Sequence, residues 1–272
     1  MKASICTQNG DASKVFLKHL HLFFSTTSYI LELTIFKVGG KKMNAQKLSK
    51  RLETVAKFVP TGAVVADIGS DHAYLPCYLI HKGVATRAVA GEVVKGPFES
   101  AVGQVKKEGL TEKITVRLAD GLAAVEAADK VDTVTIAGMG GPLIVSILEK
   151  HPESLRGVTR LILQPNIHAK VIREWALANN WAIQDEAILE EDEKIYEIVV
   201  LQRGSMKLTE AEILFGPKLM LRKAPAFVQK WTREKQNWQR VLQSIEGAEQ
   251  TPEIDEKRAE LTHLLNLVEG VL

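Results

Sequence analysis

Cysteine is nearly missing: Cys6 and Cys77 are the only two in 272 residues. Two isolated thiols form no disulfide framework and show no metal-ligand spacing, so a reducing cytoplasm and the absence of a metal site are expected. Long apolar runs are missing too. In the apolar N-terminal segment the longest stretch without Asp, Glu, Lys or Arg is 19–31, too short to cross a bilayer. That segment also lacks the compact apolar run and small-residue cleavage site of a signal peptide. Charge of one sign is not in excess: 35 basic residues face 33 acidic ones, which neither demands nor forbids a nucleic-acid partner. There is no internal repeat and no low-complexity tract. The last absence is the most informative. The stretch VVADIGSDHAYLP at 64–76 reads as a strand running into a nucleotide-binding turn, yet Asp71 stands where a second glycine would admit a phosphate.

What is present is ordinary globular composition, 46% hydrophobic and 25% charged, enough for one large domain and a small one. The first 42 residues differ from the rest. KVGGKKM could be encoded by a purine-rich stretch containing a ribosome-binding GGAGG just before Met43. Residues 1–42 are therefore expected to be translated upstream sequence, with the working protein starting at Met43. From there Leu48, Leu52, Val55, Ala56 and Val59 recur at helical spacing, predicting an amphipathic helix over 45–58 that ends before Pro60. Strands are expected near 63–68, 86–91, 114–118, 132–137 and 160–164, with helices near 73–83, 97–108, 141–150 and 168–179. Buried strands alternating with helices predict a parallel, doubly wound sheet. Two further strands, 182–190 and 195–202, joined by the acidic turn EDEK, would close it with a hairpin, as in a Rossmann-like methyltransferase.

Beyond Gly204 the period becomes helical. Phe227, Trp231, Trp238, Leu242 and Ile245 form a narrow apolar stripe like a coiled-coil seam. After the turn at Thr251-Pro252, Ile254, Leu261, Leu264, Leu265 and Val268 continue a second helix. The division expected is a catalytic domain over 43–204 and a C-terminal antiparallel helical hairpin over 205–272.

Ligands of open α/β sheets bind beyond the carboxyl ends of the strands. Four such ends carry polar residues or glycine: Asp67, Gly69, Ser70, Asp71 and His72 after the first strand; Glu92 after the second; Asp120 and Gly121 after the third; Gly138-Met139-Gly140-Gly141 after the fourth. Glu92, 23 positions beyond Gly69, suits a ribose. Asp120 suits the exocyclic amine of an adenine. Asp67 and Asp71 would repel a pyrophosphate and favour a cation. S-adenosylmethionine carries a sulfonium, an ammonium, a ribose and an adenine, and matches the whole set. Each residue has a plainer alternative. Asp67 could hold loop amides, Glu92 could be a solvated acid, and Asp71 and Asp120 could cap helices. His72 could be a loop hydrogen-bonding residue, Cys77 a core residue, and the glycines at 138–141 a helix entry.

DIGSDHAYLP, then GEVVKGPFESA, RLADGL, IAGMGG and LILQPN in order, resembles the bacterial tRNA adenine-22 N1-methyltransferase family (TrmK). The resemblance is close over roughly 45–205 and extends to FGP at 215–217 and KW-x-x-E at 230–234. It implies a class I S-adenosylmethionine-dependent enzyme that methylates N1 of adenine 22 in tRNA. It further implies that Asp67, Gly69, Ser70 and His72 hold the cofactor, Glu92 its ribose, and Asp120 with Gly121 its adenine. Gly138 and Gly140 would also contact the cofactor, Met139 and Gly140 would line the transfer site, Gln164, Pro165 and Asn166 would complete it, and Asp71 would be the catalytic aspartate.

Methyl transfer to nitrogen is an in-line displacement, so the enzyme must chiefly align the reacting atoms. Adenine N1 has an in-plane lone pair and needs no strong base, but its methylated product is cationic, and a carboxylate at the N6/N1 edge would stabilise it. The partner expected is tRNA, bound by a monomer. Seven cations, Lys218, Arg222, Lys223, Lys230, Arg233, Lys235 and Arg240, lie against the single acid Glu234 and could grip RNA backbone. Alternatively they complement the acids of the second helix across the hairpin. Two other functions remain open: a nicotinamide-dependent Rossmann oxidoreductase, and a non-catalytic RNA-binding protein on a methyltransferase fold.

Overall fold

Alternating inward side chains decide the architecture. In the computed structural model, which describes residues 44–247 and 250–272, neighbouring residues of each central strand bury into opposite cores. Val65, Ile162, Ile198 and Val200 enter one apolar cluster, while Ala66, Leu161, Leu163, Val199 and Leu201 enter the other. A sheet buried on both faces needs helices on both. They are supplied by α1 (Lys50–Lys57), α2 (Tyr74–His81) and α3 (Lys95–Lys107) on the first face, and by α4 (Gly141–Lys150) and α5 (Ala169–Ala178) on the second.

The strands are β1 (Ala63–Ile68), β2 (Ala85–Glu92), β3 (Ile114–Leu118), β4 (Thr133–Met139), β5 (Arg160–Pro165), β6 (Trp181–Glu191) and β7 (Lys194–Arg203). Their spatial order is β3-β2-β1-β4-β5-β7-β6. The first five run parallel, and β7 pairs antiparallel with both β5 and β6, so the expected hairpin closes the sheet. Strand order reverses between β1 and β4. That crevice is where ligands of such sheets bind.

The expected helix over 45–58 is shorter, beginning at Lys50. Asn44 Oδ1 accepts from the backbone N–H groups of Gln46 and Lys47 at 2.9 and 2.8 Å, closing a local turn that competes with helix. Ser49 then caps α1, its hydroxyl accepting from Leu52 N–H at 3.2 Å. The Glu191 carboxylate also accepts from Lys50 N–H at 2.5 Å and Arg51 N–H at 3.1 Å, anchoring the positive end of α1 to the hairpin.

Met43–Leu272 forms one compact unit. The expectation that residues 1–42 are translated upstream sequence concerns a segment outside the described residues. After β7 come α6 (Glu210–Phe215), α7 (Pro217–Arg222), α8 (Pro225–Glu246) and α9 (Pro252–Glu269). The last two are antiparallel. Ile245 near the end of α8 packs with Ile254 near the start of α9, whereas Trp231 packs with Val268 at the opposite end. The apolar stripe read from the sequence is the seam: Phe227, Trp231 and Ile245 are buried, and Trp238 and Leu242 partly so. Trp231 meets Phe215 edge to face at 4.5 Å, a core role.

Candidate active site

The first turn is shaped by backbone strain. Gly69 has φ +73°, and His72 and Ala73 follow at +60° and +51°, two consecutive left-handed residues that are not glycine. Such conformations are held by their surroundings and gather at functional sites. A Cβ on Gly69 would overlap the Met139 methyl group, which would have to swing aside, and the positive φ favours glycine in its own right. The strain replaces helix capping: the N-cap of α2 is Ala73, with no side-chain cap, so Asp71 does not cap the helix that follows. Its carboxylate is 73% exposed, with one oxygen 3.5 Å from His72 Nε2. His72 stacks on Tyr74 with ring centroids 5.3 Å apart.

Three carboxylates converge at the ends of β1 and β2. Asp67 is buried, and Thr135 donates its hydroxyl to Oδ1 at 2.6 Å. Burial pushes the Asp67 carboxyl above its usual value. The hydroxyls of Ser70 and Thr135 act against that shift, though only Thr135 meets hydrogen-bond geometry. Glu92 is only 7% exposed, which removes the solvated-acid alternative. Its carboxyl is raised first by burial and then by the charge of Asp71, with Asp67 adding to it and the N–H groups of Val93 and Val94 opposing. A pocket that makes its own carboxylates uncomfortable is complementary to a cation. The buried Ser70 hydroxyl has no hydrogen-bond partner in the protein, an open polar position beside these acids.

Asp120 precedes a short 3₁₀ turn, over Gly121–Ala124, without capping it. Its half-exposed carboxylate is ion-paired with Lys150. Gly121 has φ +56°, which holds the turn after β3.

On the other side of the crevice the ends of β4 and β5 are tied by amides. Gly138, at φ +82°, donates its N–H to Gln164 Oε1 at 2.9 Å. Gln164 Nε2 donates to Asn166 Oδ1 at 3.4 Å, and Asn166 Nδ2 donates to the Gly138 carbonyl at 2.9 Å. Asn166 N–H reaches the Met139 carbonyl at 2.7 Å. Gly140 is the N-cap residue of α4, so the GMGG stretch is a helix entry as well as the wall of the crevice.

Two residues of this site carry no clear mark in the sequence. Thr135 sits in the middle of an apolar strand, where its hydroxyl looks like a β-branched filler. Arg51 lies three residues after Leu48 and four before Val55, on the apolar stripe of α1, and a cation there was the available signal. Its Nη1 donates to Gln164 Oε1, and its guanidinium lies 5.4 Å from the centre of the Tyr196 ring.

The seven cations of the C-terminal region divide. Lys230 requires a correction: its ammonium is ion-paired with the buried Glu197 and serves the fold rather than solvent. Lys235 pairs with Glu269 at 3.0 Å across the hairpin, as the charge-complementarity alternative anticipated, whereas Arg222 pairs at 2.6 Å with Asp185 on β6. Lys218, Lys223, Arg233 and Arg240 form no ion pair among the described residues.

No group of three or more His, Cys, Asp or Glu able to hold a metal exists among the described residues, and no helix among them is long and apolar enough to cross a membrane. Cys77 is buried, and burial pushes its thiol up to about 12, which makes it a core residue and a poor nucleophile.

A doubly wound sheet with this strand order and an acidic crevice at its switch point is the Rossmann-like class I methyltransferase architecture. Residues 65–270 match the family described as TrmK, tRNA (adenine(22)-N(1))-methyltransferase, and the chain belongs to that family. A Bacillus subtilis tRNA (adenine(22)-N(1))-methyltransferase is 48% identical over 236 residues, 85% of this chain and 99% of that protein. The solved structure of the B. subtilis M1A22 tRNA methyltransferase TrmK superposes with a TM-score of 0.80 at 47% identity, covering 83% of this chain and 99% of that one. A Streptococcus pneumoniae chain solved in complex with S-adenosyl-L-methionine superposes with a TM-score of 0.76 at 47% identity and the same coverage.

Proposed function

We infer that the protein transfers a methyl group from S-adenosylmethionine to N1 of adenine 22 in tRNA. The observation that carries this reading is the convergence of Asp67, Asp71 and Glu92, where burial first and then the charges of Asp71 and Asp67 raise the Glu92 carboxyl. Such a pocket suits a sulfonium and an ammonium and repels a pyrophosphate, which disfavours the nicotinamide oxidoreductase. When bound, S-adenosylmethionine supplies an electrophilic methyl group on positively charged sulfur.

The chain's own residues then divide the work. Asp67 and Ser70, with the Gly69 backbone and His72, face the amino-acid portion of the cofactor. Glu92 accepts from the ribose hydroxyls, and Asp120 with Gly121 lies toward the adenine ring, Asp120 exchanging its Lys150 partner for the exocyclic amine. Met139 and Gly140 border the transfer point, and Gly138 with Gln164 and Asn166 borders the target base. Asp71, open to solvent, stabilises the cationic methyladenine and can accept the N6 proton afterwards. Residues 43–204 carry this chemistry, and 205–272 add the RNA contacts, for which Lys218, Lys223, Arg233 and Arg240 are available. The enzyme acts in the cytoplasm as a monomer.

Incubation with unmodified tRNA and labelled S-adenosylmethionine, followed by nucleoside analysis, is expected to give 1-methyladenosine at position 22. Tight RNA binding with no incorporated methyl group would instead establish the non-catalytic alternative.

A pH dependence follows from the raised carboxyls. In the unliganded fold Asp67 and Glu92 hold protons at a pH where they would ordinarily have lost them. They therefore cost stability as pH rises from the usual carboxylate range through the raised values. A cation entering the pocket favours the deprotonated forms. Affinity for S-adenosylmethionine should fall as pH is lowered through that window, and more steeply than affinity for S-adenosylhomocysteine, which lacks the sulfonium. Calorimetry with both ligands measures the two slopes, and identical slopes would remove the electrostatic account.

A further inference from the structure

The amides at the ends of β4 and β5 have a fixed polarity, and one end of the chain they form is open. Gln164 is fully buried, and its Oε1 accepts both the Arg51 guanidinium and the Gly138 N–H. Two donors on one oxygen leave no choice of amide orientation, because the flipped side chain would place an NH₂ against two N–H donors. Nε2 must therefore point to Asn166, whose Oδ1 receives it, and Asn166 Nδ2 must donate to the Gly138 carbonyl. Arg51 and the Gly138 N–H together hold Gln164 in this orientation, and the Gly138 carbonyl holds Asn166 in the matching one. An amide has two acceptor lone pairs and two donor hydrogens. In Asn166 one of each is used, and one of each remains on a side chain at the open end of the chain.

An amide oxygen beside an amide N–H is the complement of the N6–H and N7 of adenine, read bidentately. That edge is opposite N1. A side chain that bound the N1 edge would occupy the lone pair that must attack, whereas one that binds N6/N7 holds the base and leaves N1 bare. The amine has two hydrogens, one on each side, so Asn166 can take the N7-side hydrogen while Asp71 faces the N1 side. Guanine and inosine present an O6 acceptor in place of the N6–H donor and would meet the Asn166 oxygen lone pair to lone pair. The chain therefore rejects them as well as accepting adenine.

We propose that Asn166 recognises the N6/N7 edge of the target adenine, and that Arg51 is a positioning residue that, together with Gly138, reinforces its polarity through Gln164. The proposal rests on the methyltransferase reading above and assigns the base-selecting element of the same site. Arg51 suits this role because it is mostly buried, and burial lowers its pKa against the opposing influence of Tyr196 and Glu191. Its backbone is anchored by the Glu191 carboxylate. A lysine at this position would supply a compact ammonium without the planar fork.

The test uses full-length protein and tRNA assembled with either adenosine or 7-deazaadenosine at the target position, which differ only in the N7 acceptor. Wild type is expected to methylate the 7-deaza substrate with kcat/KM about five- to thirty-fold lower, the loss of one hydrogen bond within a paired set. Asn166→Ala should methylate both substrates slowly and nearly equally. Arg51→Met should lose part of the discrimination, Arg51→Lys should recover some of it, and S-adenosylhomocysteine affinity should stay within about twofold in all three, showing an intact cofactor pocket. Equal wild-type rates on the two substrates, or an Asn166→Ala enzyme as sensitive to 7-deaza substitution as wild type, would overturn the proposal and leave the methyltransferase reading intact. No methylation of the adenosine substrate by wild type would overturn both. An Arg51→Met enzyme with unchanged discrimination would remove Arg51 from the recognition chain.

Discussion

Asp71→Ala is expected to retain S-adenosylhomocysteine affinity within a few-fold while methyl transfer to tRNA falls by about 10²–10⁴ in kcat, the range for a positioned charged group acting in the transition state. Adenine N1 attacks with a lone pair it already has, so the loss does not come from removing a base that must act first. It comes from the charge that appears on the purine as the sulfonium loses its own. Asp71 is the one acid of the three in this pocket whose side chain is open to an incoming base: Asp67 and Glu92 are buried, whereas Asp71 is 73% exposed. Its direction is set by the turn after β1, where His72 and Ala73 adopt left-handed backbone. Asp71→Asn separates shape from charge. It keeps a hydrogen-bond acceptor for N6–H and removes the negative charge, so a rate near that of Asp71→Ala would show that charge stabilisation dominates. A rate near wild type would show that positioning suffices. Single-turnover measurements with preformed tRNA complex keep product release out of the comparison. Wild-type turnover by Asp71→Ala would remove this residue from the chemistry altogether.

Much of this site is legible in the sequence because strand ends announce themselves. VVADIG and TVTIAGMG are apolar runs that stop at acids or glycines, and strand order then brings those ends together. Asp67, Gly69, Asp71, Glu92 and Gly138 could be picked out that way, and the sheet and its closing hairpin came from the same alternation. What could not be read were the partners. Thr135 donates to Asp67 across the β1–β4 pairing, and nothing in the local pattern distinguishes its hydroxyl from a strand-forming side chain. Arg51 and Gln164 are 113 positions apart and meet only because α1 lies over the ends of β4 and β5. The C-terminal cations show the converse. Their clustering is visible in sequence, but whether Lys230 faces solvent or Glu197 depends on how α8 docks on the sheet, a tertiary fact without a local signal.

Arg173→Met is expected to destabilise the fold by about 3–5 kcal/mol, lowering Tm by roughly 6–20 °C for a chain of this size. Arg173 lies on α5 and is completely buried. Its Nε donates to Glu186 at 2.7 Å and its Nη2 to Glu197 at 2.5 Å. Lys230 from α8 completes the cluster at Glu197, and Glu186 also accepts Lys218 N–H at 2.9 Å and so holds the start of α7. Gly216 admits the pair, since a Cβ there would stand 2.6 Å from Arg173 Nη2 and 2.7 Å from Glu186 Oε1. Burial opposes the Arg173 charge, yet Glu197 and Glu186 hold its pKa above the ordinary value. The two acids respond differently. Burial raises the Glu186 carboxyl, while Lys230 and Arg173 together overcome burial at Glu197 and keep it low. Removing the guanidinium strands Glu186, which has no second cation, and its pKa must climb further. The folded variant then binds a proton that the unfolded chain has already released, so its deficit relative to wild type should shrink as pH is lowered. Adding Glu186→Gln to Arg173→Met balances the remaining charges, since Glu197 keeps Lys230 and the amide oxygen still accepts Lys218 N–H. Recovery of part of the lost stability in that double variant, measured by thermal unfolding across pH, would identify the stranded carboxylate as the cause. An unrecovered deficit that ignores pH would place it in lost packing around α5.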